Sequence, residues 1–163
     1  MASKNSNQKP QSAANPALLL LDNQLCFALY STSLAMTKIY KPLLAPLGLT
    51  YPQYLAMLVL WEQDGVMVSE LGERLYLDSG TLTPLLKRLE ATGLIARLRD
   101  VADERRVHVT LTAAGRRLKA KAASIPTCVV SAAGCSLPDL ASLTRQVQAL
   151  RLKLVSQACR LAL

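Results

Sequence analysis

The sequence contains four cysteines, which are the side chains with the greatest capacity for covalent chemistry: Cys26, Cys128, Cys135 and Cys159. A cysteine thiolate attacks peroxides and disulfides, whereas a thiol in apolar surroundings is inert. No two of the four form a CxxC pair and His108 is the single histidine, so we expect neither a metal site nor a bound cofactor. Cys159, near the C-terminus, is interpreted as a bystander.

Cys26 has tyrosines at helical spacing. An apolar pattern that begins near Leu18 predicts a helix that continues until Pro42 interrupts it. Tyr30 and Tyr40 follow Cys26 on this helix, and the three side chains fall within about 40° on one face. Cys26 and Tyr40 are still about 21 Å apart along the axis, so they can meet only if the first helices of two chains run antiparallel. A start near Leu18 also leaves Cys26 too far along the helix for its dipole to assist the thiolate.

The other chemically informative residues are basic or carry hydroxyl groups. The formal net charge of +8 favours a polyanionic partner such as nucleic acid. We expect one set of side chains between Val68 and Thr112 to contact bases and phosphates. The set is Asp78, Ser79, Gly80, Thr81, Thr83, Lys87, Arg88, Arg97, Arg99, Arg105 and Arg106.

The elements that must position this set have the order helix, turn, helix and two-stranded wing. The pattern predicts a helix Ser69–Leu75, a turn Tyr76–Ser79, a helix Gly80–Ala91 ending at Gly93, and strands Ile95–Arg99 and Val107–Leu111. Asp78 or Ser79 can cap the second helix, which in such motifs enters the major groove. Asp100 and Asp103, in the polar loop 100–105 of the wing, can hold its arginines through bidentate pairs.

The predicted fold is mainly α with a small β-wing, a winged helix-turn-helix dimerised through N- and C-terminal helices. Residues 1–16 are interpreted as a flexible arm and 17–163 as one domain: 17–64 for dimerisation and sensing, 66–112 for DNA binding, and 113–163 for C-terminal dimerisation. A second, buried helix is expected from Pro52 to about Glu62. We also expect a helix break near Ile125, ahead of Pro126, and a cap at Ser136 that starts the last helix. Since neither a signal peptide nor a membrane span is recognised, we expect a cytoplasmic protein without a membrane partner.

Several of these segments resemble the MarR family of bacterial repressors. The resemblance lies in DSGTLTPLLKRLE at residues 78–90 and GLI at 93–95; LDNQLCFALY at 21–30 and LTYPQY at 49–54 are similar to the organic hydroperoxide sensors of OhrR type. It implies a homodimeric repressor that binds a pseudopalindromic operator on double-stranded DNA and releases it when an organic hydroperoxide oxidises Cys26. It also implies that two tyrosines of the partner subunit, matching Tyr40 and Tyr51, hydrogen-bond the thiolate; Tyr30 is a further candidate.

The sequence does not identify which thiol forms the disulfide with oxidised Cys26. In two-cysteine members of the subgroup the resolving cysteine lies about 105 residues beyond the first, and that offset falls on Ser131. Cys128 or Cys135 could resolve instead, or a small external thiol, or Ser131 could be an engineered replacement. We favour Cys128 narrowly, because it lies on the same helical face as Ser131.

Three other functions fit parts of this pattern, and one of them, a purely architectural DNA binder, would show no chemical switch. A MarR-type repressor that responds to a small phenolic ligand would bind an operator but ignore hydroperoxide. A thiol peroxidase would require turnover and would leave the basic wing unexplained, so we expect the protein not to be an enzyme.

Overall fold

The computed structural model describes residues 16–103 and 106–161, and over these ranges the chain is mainly helical with one small antiparallel sheet. The predicted fold class, a winged helix-turn-helix, is confirmed. The helices are α1 (Leu25–Leu44), α2 (Tyr51–Glu62), α3 (Val68–Leu75), α4 (Ser79–Ala91), α5 (Ala113–Ala122), α6 (Ile125–Ala133) and α7 (Leu137–Leu161). The strands are β1 (Val66–Met67), β2 (Ile95–Arg99) and β3 (Val107–Leu111). The predicted arm lies outside the described residues except for Pro16.

The chain divides into a unit that ends at Thr37 and a unit that begins at Lys38. In the first unit the predicted helix start near Leu18 is wrong, because two short 3-10 turns precede α1. Polar side chains stabilise these turns: the Asn23 amide donates to the Ala17 carbonyl at 2.8 Å, and the Gln24 amide donates to the Leu18 carbonyl. The α-helix therefore starts seven residues later than predicted.

The interruption predicted at Pro42 is also wrong. Pro42 lies in the last turn of α1, which continues to the buried Leu44. A proline there removes only the hydrogen bond to the Lys38 carbonyl, and the helix ends before further bonds are lost. The next helix starts where expected, since the Gln53 side chain accepts from the backbone N–H and the hydroxyl of Thr50 at 2.9 and 3.0 Å.

The sheet has the strand order β1-β3-β2, with both pairs antiparallel. Strands β2 and β3 have the predicted bounds and pair from Ile95 opposite Leu111 to Arg99 opposite Val107. Strand β1 was not predicted, because two residues are too short for an alternating pattern. It pairs Val66 with Val109, and both side chains are buried in the core.

The buried hydrophobic side chains lie between Leu44 and Val129, and α2 is nearly apolar all round, as predicted. Ile125 is buried at the start of α6, where the predicted break at Pro126 is confirmed. The Ser136 hydroxyl accepts from the Asp139 backbone N–H, which confirms the expected cap of α7. None of the described side chains of α7 is buried. Among the described residues no single helix meets the length and apolarity needed to cross a membrane, although two bent helix pairs do by length and composition alone.

Candidate functional site

Helix α4 is amphipathic, and its polar face carries the side chains predicted to contact DNA. Its buried residues Leu82, Leu85, Leu86 and Leu89 recur at helical spacing and pack into the core. The remaining face is open to solvent, as contact with a DNA groove requires. The exposed predicted residues on it are Ser79, Gly80, Thr81, Thr83, Lys87 and Arg88.

Asp78 caps this helix, as one of the two predicted alternatives has it. Its carboxylate accepts from the Thr81 backbone N–H at 2.9 Å and from the Thr81 hydroxyl at 3.2 Å. These bonds, the backbone one first, lower the pKa of Asp78 below its ordinary value. Asp78 and Thr81 therefore already bond to each other at the N-terminus of α4.

Arg97 joins the wing to α4. Its Nε and a terminal nitrogen donate to Glu90 Oε2 at 2.9 and 2.5 Å, and its backbone N–H donates to Glu90 Oε1 at 3.2 Å. The Arg97 hydrogen bond is the largest cause that lowers the pKa of Glu90. Sequence reasoning missed Glu90, because only the turn between α4 and β2 brings these two residues together.

The wing loop is closed by Asp100, Asp103 and His108. The Asp100 carboxylate accepts from the Ala102 backbone N–H at 2.8 Å and lies 3.5 Å from His108 Nε2, and the Ala102 bond is the largest cause that lowers the pKa of Asp100. Asp103 lies 3.7 Å from Arg106 Nε, which is one contact to this arginine in place of the predicted bidentate pair, and Asp100, predicted to hold an arginine, faces His108. Arg99 and Arg106 are exposed, while the predicted Arg105 lies outside the described residues.

One groove brings residues of α4 and the wing together. Ser79 and Thr83 of α4, together with Arg97 and Arg106 of the wing, line an open groove of about 370 Å³. Hydroxyl groups and guanidinium groups are the usual donors to phosphate oxygens and base edges. The geometry thus places two separately predicted parts of the site on one surface.

A second cluster contains the tyrosines. The ring centroids of Tyr40 and Tyr51 are 4.6 Å apart, and Tyr54 lies 5.8 Å from Tyr40. Burial raises the pKa of all three phenols, and Tyr51 and Tyr54 raise that of Tyr40 further. The hydroxyl groups therefore stay protonated and can donate hydrogen bonds. Tyr54 was missed, although its spacing from Tyr51 on α2 indicates a shared helix face.

Cys26 is the second residue of α1, and its side chain is exposed. The expectation that it lies far from the helix start is therefore wrong, because α1 begins at Leu25. Unpaired N–H groups and the helix dipole favour a negative charge in the first turn of a helix. Tyr30, one turn further on, is 61% exposed and so is open to contact by another molecule.

The two candidate resolving thiols lie in different settings, and both are exposed. Cys128 belongs to α6, three residues before Ser131. Cys135 follows Gly134, which ends α6 at φ +64°, and its thiol donates to the Ala133 carbonyl at 3.3 Å. The side chain of Cys159 lies outside the described residues.

This fold and this basic surface define a DNA-binding transcriptional regulator of the winged helix-turn-helix class. The family described as "Transcriptional regulator SarA/Rot" matches residues 38–122. The chain is 55% identical over 123 residues to the organic hydroperoxide resistance transcriptional regulator of Bacillus subtilis, covering 76% of this chain and 84% of the relative.

Two solved structures of AbfR are similar to this chain. Reduced AbfR bound to DNA has a TM-score of 0.70 at 32% identity, covering 83% of this chain and 94% of that one. Disulfide-formed AbfR has a TM-score of 0.57 at 34% identity, covering 83% and 90%. The chain belongs to the MarR family, in its organic hydroperoxide regulator subgroup.

Proposed function

We propose that this regulator represses transcription in its reduced form and releases its operator when an organic hydroperoxide oxidises Cys26. The observation that carries the proposal is the position of Cys26, an exposed thiol in the first turn of α1. A thiol there is accessible to a peroxide, and its thiolate is the form that attacks. The hydroperoxide-related name of the Bacillus subtilis relative, and the reduced and disulfide forms of AbfR, support the same chemistry.

The oxidation needs two steps. The Cys26 thiolate attacks the terminal oxygen of the hydroperoxide, an S–O bond forms as the O–O bond breaks, and the alkoxide takes a proton and leaves as the alcohol. The product is a sulfenic acid, in which sulfur is oxidised by two electrons. A second thiolate then attacks that sulfur, and hydroxide leaves as water to give a disulfide.

Tyr40 and Tyr51 are proposed to hydrogen-bond the Cys26 thiolate of the partner subunit. Their phenols stay protonated, and their rings lie side by side. The donor is proposed to come from a second, antiparallel chain, because the helical spacing of Cys26 and Tyr40 in the sequence does not allow them to meet within one helix. Tyr30 is proposed to pack beside the thiol, one turn from it.

A homodimer would cover apolar surface that the single chain exposes. Contiguous exposed apolar residues mark interaction sites, and the two chain ends carry many of them. We propose that 17–64 and 113–163 supply dimerisation and that 66–112 binds DNA. The exposed large apolar residues before Lys38 are Leu18, Leu19, Leu20, Leu21, Leu25, Leu29, Tyr30 and Leu34, and those of α7 are Leu137, Leu143, Val147, Leu152, Leu154 and Val155.

The dimer would present two copies of α4 to a pseudopalindromic operator. Ser79 and Thr83 are proposed to contact base edges, and Arg99, Arg105 and Arg106 to contact phosphates or the minor groove. Lys87 and Arg88 would contact phosphates one turn further along α4. Arg97 is proposed to act mainly by holding the wing against α4, since Glu90 already binds its guanidinium.

The resolving thiol is proposed to be Cys128. It lies on α6 on the same face as Ser131, the position at which the resemblance to two-cysteine members of the subgroup implies a resolving cysteine. Cys135 is the alternative, and an external thiol would give a mixed disulfide instead.

The decisive experiment measures operator binding before and after cumene hydroperoxide. We expect wild type to lose binding, Cys26→Ser to keep it, and the matched variant Cys135→Ser to behave as wild type. Mass spectrometry of the oxidised protein then distinguishes a Cys26–Cys128 bond from the other pairs. Loss of binding by both wild type and Cys26→Ser, or by neither, would reject Cys26 as the sensor.

A further inference from the structure

Tyr76 has a backbone conformation that an aromatic residue rarely adopts. It ends α3 at φ +56° and ψ +37°, and it is the non-glycine residue with positive φ among the residues described. Its backbone N–H donates to the Glu73 carbonyl at 3.2 Å, and that of Leu77 donates to the Gly72 carbonyl at 3.0 Å. Glycine is the usual residue in such a helix end, because a side chain there crowds the following carbonyl. A tyrosine at this position therefore needs a reason in what its ring contacts.

The ring of Tyr76 faces a cation from α7. The guanidinium carbon of Arg151 lies 4.4 Å from the ring centroid, which is within the range of a cation–π contact. Tyr76 is 54% exposed, so the ring is not held by core packing. Among the described residues Arg151 forms no salt bridge, which leaves its charge available to the ring.

The contact connects two parts of the chain with different roles. Tyr76 opens the turn that leads into Asp78, the cap of α4, so its ring lies beside the connection to the start of that helix. Arg151 lies on α7, whose described side chains are all at least partly exposed and whose apolar ones are proposed to pair with a second chain. The ring and the guanidinium thus join the turn before α4 to the helix of the proposed dimer.

We propose that Tyr76 and Arg151 are positioning residues that hold α4 relative to α7 and thereby set the separation of the two α4 helices on the operator. This proposal rests on the dimer of the proposed function. It is independent of the redox switch, because it concerns the reduced protein without peroxide. Neither residue is required to contact DNA. The expected effect is on the affinity for an operator with two half-sites, and not on the affinity for a single half-site.

The test compares a full operator with a DNA that carries one half-site, using reduced protein whose dimeric state is first measured by analytical ultracentrifugation. We expect Arg151→Gln and Tyr76→Leu each to weaken full-operator binding about two- to fivefold, the range of a partly exposed cation–π contact. Half-site binding should stay unchanged. The variants should also discriminate less between operators whose half-sites are one base pair closer or further apart.

Three controls separate positioning from damage to the fold. Tyr76→Phe keeps the ring and should bind as wild type, and the double variant Tyr76→Leu, Arg151→Gln should lose no more than either single variant. Tyr76→Gly suits the positive φ, so it should keep the thermal stability of wild type while weakening full-operator binding. An equal loss on the half-site, an additive double variant or a failure of Tyr76→Phe would each overturn the proposal. If the wild-type protein is a monomer in ultracentrifugation, the proposed dimer is wrong, and this proposal, which rests on it, fails as well.

Discussion

Gly115 marks the closest backbone approach that a side chain would block, between the start of α5 and the residue before β2. A Cβ at this position would lie 2.1 Å from the Leu94 carbonyl oxygen, whereas carbon–oxygen contacts normally exceed about 3.3 Å. The same carbonyl accepts from the Thr112 backbone N–H at 3.1 Å and from its hydroxyl at 3.2 Å. The Gly115 carbonyl accepts from Trp61 Nε1 at 2.9 Å. Gly115→Ala therefore has to move α5 away from Leu94 by about 1 Å.

The expected cost follows from the bonds that this movement weakens. Three hydrogen bonds at about 1 kcal/mol each are offset by about 1 kcal/mol that alanine gains over glycine within a helix. The free energy of unfolding should fall by about 2 kcal/mol, and backbone strain adds to that loss.

Urea unfolding followed by the fluorescence of Trp61, the single tryptophan, measures this change. Ala120→Gly, at an exposed position of the same helix, is the matched control, and it should cost no more than about 1 kcal/mol. Helix propensity alone makes Gly115→Ala stabilising. An unchanged or increased free energy of unfolding for this variant would refute the steric argument.

Three further outcomes are expected. Glu90→Gln should weaken operator binding in an anisotropy titration, because the Arg97 side chain is then held less firmly. Arg97→Lys should reduce operator affinity by a similar factor. A much larger reduction for Arg97→Lys would show that Arg97 contacts DNA directly. Burial opposes ionisation of Asp64, but hydrogen bonds from Leu111 N–H and the Arg116 guanidinium outweigh it and hold its pKa below the ordinary value. The stability that ionised Asp64 contributes is therefore present above about pH 4 and lost as pH falls through its lowered pKa. The free energy of unfolding in urea should then fall less at acid pH for Asp64→Asn than for wild type. An equal fall in both proteins would count against this role of Asp64. The fluorescence emission of Trp61 should change when Cys26 is oxidised, because the Trp61 ring lies 6.2 Å from the Tyr54 ring of the tyrosine cluster. If the emission spectrum stays unchanged while the operator is released, the tyrosine cluster has no part in the proposed switch.

Local chemistry made the wing and its borders predictable. Strands β2 and β3 have the predicted bounds, because alternation over five residues identifies a half-buried strand without tertiary information. Gly93 takes φ +71° directly after α4, as a glycine past a helix end should. Pro126 lies in the first turn of α6 and not within a continued α5, since a first turn accepts a proline without losing a helical hydrogen bond.

The start of α1 was not predictable from periodicity. Apolar residues from Leu18 onward have helical spacing, but 3-10 turns expose a similar pattern over so few residues. What decides between them is the reach of the Asn23 and Gln24 amides back to the Ala17 and Leu18 carbonyls. This local difference moves Cys26 from within the expected helix to the first turn of α1.

The distribution of buried residues sets α7 apart from the winged domain. The buried apolar side chains between Leu44 and Val129 stabilise the winged domain, while the described side chains of α7 remain at least partly exposed. A helix without buried side chains of its own transmits little force through packing, so it has to act through specific polar or aromatic contacts. The contact of Arg151 with the Tyr76 ring is of this kind, and Tyr76 lies two residues before Asp78, the cap of α4. In the proposed dimer, the position of α7 would therefore bear on the start of α4 through this turn and not through the core.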